Sequence, residues 1–397
     1  MSTYIGESSY FAIIPESTPG VAIVPTNFVP LVGEDVKTVV NYTPDRRMKG
    51  VDWNANGILR GNRTHEGTIT VLGDPDTLGH VLNMIMAKGA TTGSADGYTH
   101  PFTVGTPKSY TIDIKKGNFI QRFFGVYIDE LTFEFKDNQL ELSFRVQAMG
   151  QFSVATVGIA LTGAGMVSLT LDDEYDISPN RGLVVGDVIT VGGVDVTLLT
   201  VNADGKIVTF ASNTITASIG APVLLKPQAV SFATLQDPFY LGNVLVGIGA
   251  DETASTTASG ARTTATPIYD LKFTLKNNLF AQNGTNRMDP VQIIPKNKEA
   301  QLQLKQLFTG VTQKQAWMDR TKQAITIVML GKYIKSDFTT QEKLTFKFYN
   351  VKLIENNNEI KVGEMIVDDE NFEVLYDNVG GNAITADLIN RTVGTSY

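Results

Sequence analysis

One punctuated pattern occurs twice in this chain, about 225 residues apart. A chain that repeats itself folds as like units set side by side, so the repeat constrains the fold more than any single motif. In the first copy a capped amphipathic helix begins at Asp74-Pro75, followed by strand-like text centred on Arg122-Phe123-Phe124-Gly125-Val126. In the second a helix is expected near Asn297, with later strand text centred on Lys347-Phe348-Tyr349-Asn350-Val351. Helix-plus-sheet units repeated without a chemical constellation read as an assembly module that offers surface, not turnover.

The first helix follows from its residues. Asp74 is suited to the N-cap and Pro75 to the first helical position, where its missing N–H costs nothing. Leu78, Val81, Leu82, Ile85 and Met86 recur at i, i+3, i+4, i+7 and i+8, which builds one apolar face, and Lys88-Gly89 supplies a stop. For the second helix the expected face is Ala300, Leu304, Leu307 and Phe308, ending at Gly310.

From Ser109 the period changes to two. Tyr110, Ile112 and Ile114 alternate with polar residues, as do Leu131, Phe133 and Phe135, then Leu140, Leu142, Phe144 and Val146 beyond Lys136-Asp137-Asn138-Gln139. This predicts an antiparallel hairpin with one apolar face and one wet face carrying Thr132, Glu134, Glu141, Ser143 and Arg145. Further strands are expected at Leu271–Leu275, Ala324–Leu330 and Leu344–Leu353, with a turn at Asn356-Asn357-Asn358.

The predicted organisation is mainly β: two β-sandwich or barrel modules, each with one flanking α-helix, interrupted by a small all-β insert. Residues 1–60, full of Pro and Gly turn signals, read as an N-terminal arm plus the first strands of module 1, and 61–155 complete that module. Residues 156–228 lack helical period and hold tight turns such as Gly192-Gly193 and Asn202-Ala203-Asp204-Gly205, which predicts the inserted all-β domain. Module 2 is expected over 229–377, with Gly249–Pro267 as a mobile loop, and 378–397 as a surface or partner-bound tail.

Composition removes several function classes. The chain has no cysteine, which excludes disulfides, thiolate zinc sites and a cysteine nucleophile. Its net charge of −8 gives no basic footprint for gripping nucleic acid. The densest basic run, Arg46-Arg47-Met48-Lys49, lacks interleaved aromatics and reads as a local salt-bridge patch. No apolar run approaches the length of a membrane-spanning helix, and Met1–Ser17 has no signal-peptide pattern.

Catalytic motifs are missing: there is no G-x-S-x-G, H-E-x-x-H or phosphate-binding P-loop. His65, His80 and His100 stand at no metal-binding interval. Asp172, Asp173, Glu174 and Asp176 lack the glycine and distant glutamate of a calcium loop. Asp368-Asp369-Glu370 reads as a solvated turn. No catalytic, cofactor-binding or metal residue is assigned, and no enzyme is expected.

In their order these segments resemble the major tail tube proteins of long-tailed, siphophage-type bacteriophages. The resemblance covers roughly 15–155 and 265–377. It is carried by Thr18-Pro19-Gly20, Phe28-Val29-Pro30, Gly67-Thr68-Ile69-Thr70 leading into the Asp74-Pro75 helix, and the strand entry Phe124-Gly125-Val126-Tyr127-Ile128-Asp129-Glu130-Leu131. It implies a structural virion protein that polymerises as stacked rings into a tail tube for DNA ejection, assembled in the bacterial host cytoplasm. The implied partners are the chain itself, tape measure and tail tip or terminator proteins, and genomic DNA passing without specific binding; no membrane is implied. Two modules per chain favour a trimeric, pseudo-sixfold ring over a hexamer. The alternative is a virion or cell-surface adhesin that uses the β-rich insert for receptor or glycan binding.

Overall fold

The computed structural model describes residues 9–45, 57–94, 96–152, 154–172, 182–230, 232, 236–260, 265–285, 287–307, 312–335, 339–359, 366–393 and 397. In chain order the principal elements begin with β1 (Phe11–Pro15), β2 (Lys37–Asp45), β3 (Gly57–Leu72) and α1 (Pro75–Ile85). They continue with β4 (Gly97–Thr103), β5 (Tyr110–Lys116), β6 (Phe119–Lys136) and β7 (Gln139–Ala148). After an intervening sheet come β8 (Val244–Gly249), α2 (Glu252–Ala258), β9 (Ile268–Lys276) and β10 (Glu299–Leu307). Last are α3 (Thr312–Met318), β11 (Gln323–Tyr333), β12 (Gln341–Glu359), β13 (Val367–Val374) and β14 (Ile384–Asn390).

The strand ladders repeat. One long antiparallel sheet runs in the order β2–β3–β7–β6–β9–β10–β13–β12, so the quartet β2–β3–β7–β6 is followed by its counterpart β9–β10–β13–β12. We call this the inner sheet. β6 and β12 are long because each serves two sheets. The first half of β6 pairs with β5, which carries β1, while the first half of β12 pairs with β11, which carries β8. The crossover falls near Val126 in β6 and between Phe348 and Val351 in β12. These are the two segments whose likeness marks the repeat in the sequence. Gly125 stands at the first crossover with φ +61, in the left-handed region, and Met149 occupies the space a Cβ would take.

The two layers close on one apolar core. From the inner sheet come Leu131, Phe133, Phe144, Phe273 and Leu302, and from the outer strands Ile112, Ile327, Phe346 and Phe348, all buried. Phe133 stacks on Phe273 at 4.1 Å and meets Phe346 edge-on, so the aromatic cluster spans both halves. α1 forms as its cap predicts: Asp74 Oδ1 accepts from the Asp76 and Thr77 amides, at 3.0 and 2.9 Å. It ends at Ile85, and Ala87–Lys88 already belong to a short strand. The β6–β7 hairpin also forms as predicted, with Asp137 and Asn138 at φ 50 and 64 in its two-residue turn.

Several expectations are overturned. The second helix is not at 297–310: Glu299–Leu307 is strand β10, and the counterpart of α1 is α3. Ala300, Leu304 and Leu307 fit a helical spacing, but Ala300, Leu302 and Leu304 fit period two equally well, and pairing with β9 and β13 decides it. Phe308 and Gly310 lie outside the described residues. Asn356-Asn357-Asn358 make no turn; they continue β12 against Glu370, Asp369 and Asp368. Those acids belong to strand β13, not to a solvated turn, and Asp368 and Glu370 are buried.

The N-terminal and C-terminal expectations change as well. From Phe11 onward the segment expected as an arm pairs within the chain's own sheets and buries Phe11, Ile13 and Val29. The expected tail contains β14, which bonds β12 on one side and β4 on the other and so ties the two halves together. Tyr397 is buried against Gly79 of α1, where a Cβ would lie 2.1 Å from its ring. Within the expected loop Gly249–Pro267 lies α2, capped by Asp251 Oδ1 on the Ala254 amide at 2.8 Å.

Between the halves, six strands from Val154 to Leu225 form a separate antiparallel sheet with its own core of Leu169, Ile189, Val191, Val208, Phe210 and Ile215. That core takes Ile120 and Phe152 from the outer-layer strands of the first half. Asp173, Glu174 and Asp176 lie outside the described residues, as do Arg46, Arg47, Met48 and Lys49.

Candidate functional site

Alternation along the inner sheet puts one side chain in two into the core and the next onto a broad polar face. Across the first quartet and its junction this face carries Thr70, Ser143, Thr132 and Thr274 in one cross-strand row, with Glu141, Glu134 and Lys272 in the next. Across the second it continues through Gln301, Gln303, Lys305, Asp369, Asn371, Glu373 and Glu355. Thr132, Glu134, Glu141, Ser143 and Arg145, read from the sequence as one wet face, are thus brought together by the hairpin.

Its charges are mostly spent on each other. Arg145 bonds Glu66 at 2.7 Å, Lys272 faces Glu134 and Lys276 faces Glu130, both at 3.5 Å, and Lys136 pairs with Glu141. Lys305 reaches Asp270 at 3.4 Å and Gln303 donates to Asp369 at 3.0 Å. These are exposed pairs worth little individually for stability. Their effect is on the surface potential, since a face of mutually neutralised charges offers no continuous positive track for phosphates.

Both ends of the inner sheet are strand edges. Among the described residues β2 pairs only with β3, and the second half of β12 pairs along its length only with β13. Unpaired edges template further pairing unless they are blocked. Near the β12 edge Trp317 Nε1 donates to the Ile354 carbonyl at 3.1 Å, and Trp317, Met318 and Ile354 are exposed.

The histidines serve the fold. His65 Nε2 meets Asp289 Oδ1 at 2.9 Å and Arg63 bonds the same carboxylate, linking β3 to the second half. Although burial opposes it, these partners hold the Asp289 carboxyl below its ordinary value. His80 and His100 lie edge-on to Tyr397 at 4.8 and 4.9 Å. Burial and the Lys88 charge push His80 down to about 3, and burial also lowers His100, so both rings are neutral. Among the described residues no group of three or more His, Cys, Asp or Glu is placed to hold a metal. A cleft of about 940 Å³ beneath α3 is lined by polar side chains that include Gln306, Gln313, Gln323, Lys322 and Asp368. No helix among the described residues is long and apolar enough to cross a membrane.

A repeated two-layer β-module with a polar sheet face and bare edges is a building block. The family model described as phage tail tube protein matches residues 6–362. The chain belongs to that family. No curated protein gives a significant match. The tail tube family describes a structural component of the phage tail, and the match runs through the first quartet, the sheet between the halves and the second quartet as far as β12, ending before β13. Sequence reasoning found the polar hairpin face of this tail tube family member but missed the edge at Glu355–Asn357, because three asparagines resemble a turn.

Proposed function

We propose that three copies of this chain close into a pseudo-sixfold ring and that rings stack into the tail tube of a siphophage-type virion. The observation that carries this is the inner sheet: two like quartets in one chain, each end strand having, among the described residues, one edge without a partner. Three chains of eight inner strands supply about 24, and at roughly 4.8 Å per strand and a tilt near 45° the barrel is about 50 Å across. Side chains reduce the bore to roughly 40 Å, wider than duplex DNA. A head-to-tail contact of this kind closes when the rotation permits.

The polar face then lines the bore, and its ion-paired side chains let genomic DNA pass during ejection without being held. The tape measure protein fills the same space before ejection, and tip and terminator proteins cap the ends. Assembly takes place in the host cytoplasm. Residues 156–228 act as an inserted domain on the tube exterior, supported by their attachment to the outer-layer strands at Ile120 and Phe152.

Negative-stain and cryo-electron microscopy of the purified chain across a concentration series test this. Hollow tubes of uniform bore with three chains per ring are expected. Six chains per ring would overturn the stoichiometry. Discrete particles that never form rings would overturn the tube and favour an adhesin, with a glycan-binding screen to follow.

A further inference from the structure

Inside the chain the two halves meet where β6 pairs with β9, with Glu130 opposite Lys276, Leu131 opposite Leu275 and Thr132 opposite Thr274. The end of α1 beside this junction is covered: Ile85 and Met86 are 2 % exposed. Asn277, just after β9, closes the seam by donating to the Ile128 and Ile85 carbonyls at 2.9 and 3.3 Å. At the far end of the inner sheet stand the counterparts of β6 and α1, namely β12 and α3, and among the described residues no further strand pairs with the second half of β12. There Trp317 is 39 %, Met318 66 % and Ile354 49 % exposed, and Asn356 Nδ2 is buried without a hydrogen-bond partner. Equivalent positions are therefore sealed at the internal junction and bare at the outer one.

We propose that α3 and the edge of β12 form the seat for β2 of a second copy of this chain, with Glu355 opposite Val39, Asn356 opposite Thr38 and Asn357 opposite Lys37. This rests on the ring reading and deepens it by naming the mating elements and their register.

The register comes from the repeat. β6 and β12 carry the same bulge, between Ile128 and Glu130 in one and between Leu353 and Glu355 in the other, so Glu130 corresponds to Glu355 and Leu131 to Asn356. Opposite those positions the ladders continue through Phe144 and Glu370, then Ile69 and Leu304, and reach Glu34 and Leu271. Counting on, Leu275 and Lys276 of β9 correspond to Thr38 and Val39. The chemistry agrees with this placement. The internal seam sets acids on the long strand and lysines on the incoming one, and Lys37 lies diagonal to Glu355, within reach of a cross-strand pair.

The chain has no cysteine, so crosslinking reports the seam directly. Opposed residues lie about 4.5–5.5 Å apart between Cα atoms, inside the range a disulfide spans. Oxidised tubes of the Lys37→Cys, Asn357→Cys double variant should give a covalent ladder ending at the closed trimer. The offset pair Tyr42→Cys, Asn357→Cys should stay uncrosslinked. In a Trp53→Phe background Trp317 is the remaining tryptophan. Its emission should shift to the blue on assembly, with acrylamide quenching reduced at least twofold. This second measurement leaves both edges native and decides the matter if the cysteine variants do not assemble. Tubes in which the offset pair links, neither pair links, or Trp317 stays as quenchable as in the monomer would overturn this seam while leaving the ring reading intact. An unmodified chain that forms no rings would overturn both.

Discussion

Arg122 Nη1 lies 2.7 Å from Asp187 Oδ2, and this bond joins a strand of the tube body to the inserted sheet. The same guanidinium grips Asp113 of β5 through Nε and Nη2, at 2.7 and 2.9 Å, and donates to the Gly182 carbonyl at 3.0 Å. Arg122 is fully buried, as are both carboxylates. A planar fork that meets two acids at once sets the insert at a defined angle on the outer layer and does not leave it on a tether.

Replacing Arg122 by Ala therefore strands two buried carboxylates. We expect a loss of about 3–5 kcal/mol in chemical denaturation, the range for breaking one side of a buried ion pair. Arg122→Lys should recover little of it, because an ammonium cannot reproduce the bidentate contact. Full recovery by lysine would show that charge alone holds the joint.

Deleting 160–226 with a short Gly/Ser bridge should leave the tube bore unchanged in electron micrographs. It should also lower the melting temperature, since Ile120 and Phe152 lose their apolar cover and Arg122 loses Asp187. Folded chains that no longer form tubes would place the insert in the ring contacts and not on the exterior.

Glu370 gives the chain a pH dependence. Burial pushes its carboxyl from 4.5 up to about 7, against the hydrogen bond that Gln306 donates at 2.9 Å. A folded value above the unfolded one means that the native chain holds this proton more tightly. The stabilisation is complete below the unfolded value near 4.5 and is lost as pH rises through about 7. Relative to the native chain, Glu370→Gln should gain on the order of 2–3 kcal/mol between pH 5 and 7.5. A constant difference between the two proteins over that range would sink the assignment.

The same residue explains which parts of the fold can be read from the sequence. In the first quartet the core positions Val71, Leu131, Leu142 and Phe144 are apolar, so period two stands out and the hairpin is legible. Their ladder counterparts in the second quartet are Gln306, Asn356, Asp368 and Glu370, whose polarity hides the strands. That is why β13 resembles a solvated turn and the asparagine run a loop. α2 escapes notice because its packing face is Ser255 and not a hydrophobic stripe; Gly247 and Gly249 let it lie directly on β8, with Ser255 bonded to Thr326 at 2.9 Å. β14 does show alternation at Ile384, Ala386 and Leu388, but the preceding Gly-Gly-Asn turn makes the whole segment read as tail. The polar face was legible from one hairpin. Its extent and its edges are products of ladder pairing at long range, which spacing within a segment does not encode.

Glu16 provides the sharpest separation between folding and assembly at the N-terminal end. Its carboxylate is buried and accepts from the Gly20 and Gly125 amides at 2.9 and 2.8 Å and from the Thr111 hydroxyl at 2.8 Å. Gly125 sits at the crossover of β6, so Glu16 pins the turn at Pro19-Gly20 to the strand that changes layers. Glu16→Ala would leave these buried donors unsatisfied at a cost of about 1–3 kcal/mol each, reduced where water enters. Deleting residues 1–30 also removes β1 with Phe11 and Ile13. Both changes should therefore act on the isolated subunit, lowering its melting temperature, with the truncation failing to give a cooperative transition at all. A truncated subunit that melts cooperatively near the native temperature yet forms only single rings would instead assign this segment to contacts between rings.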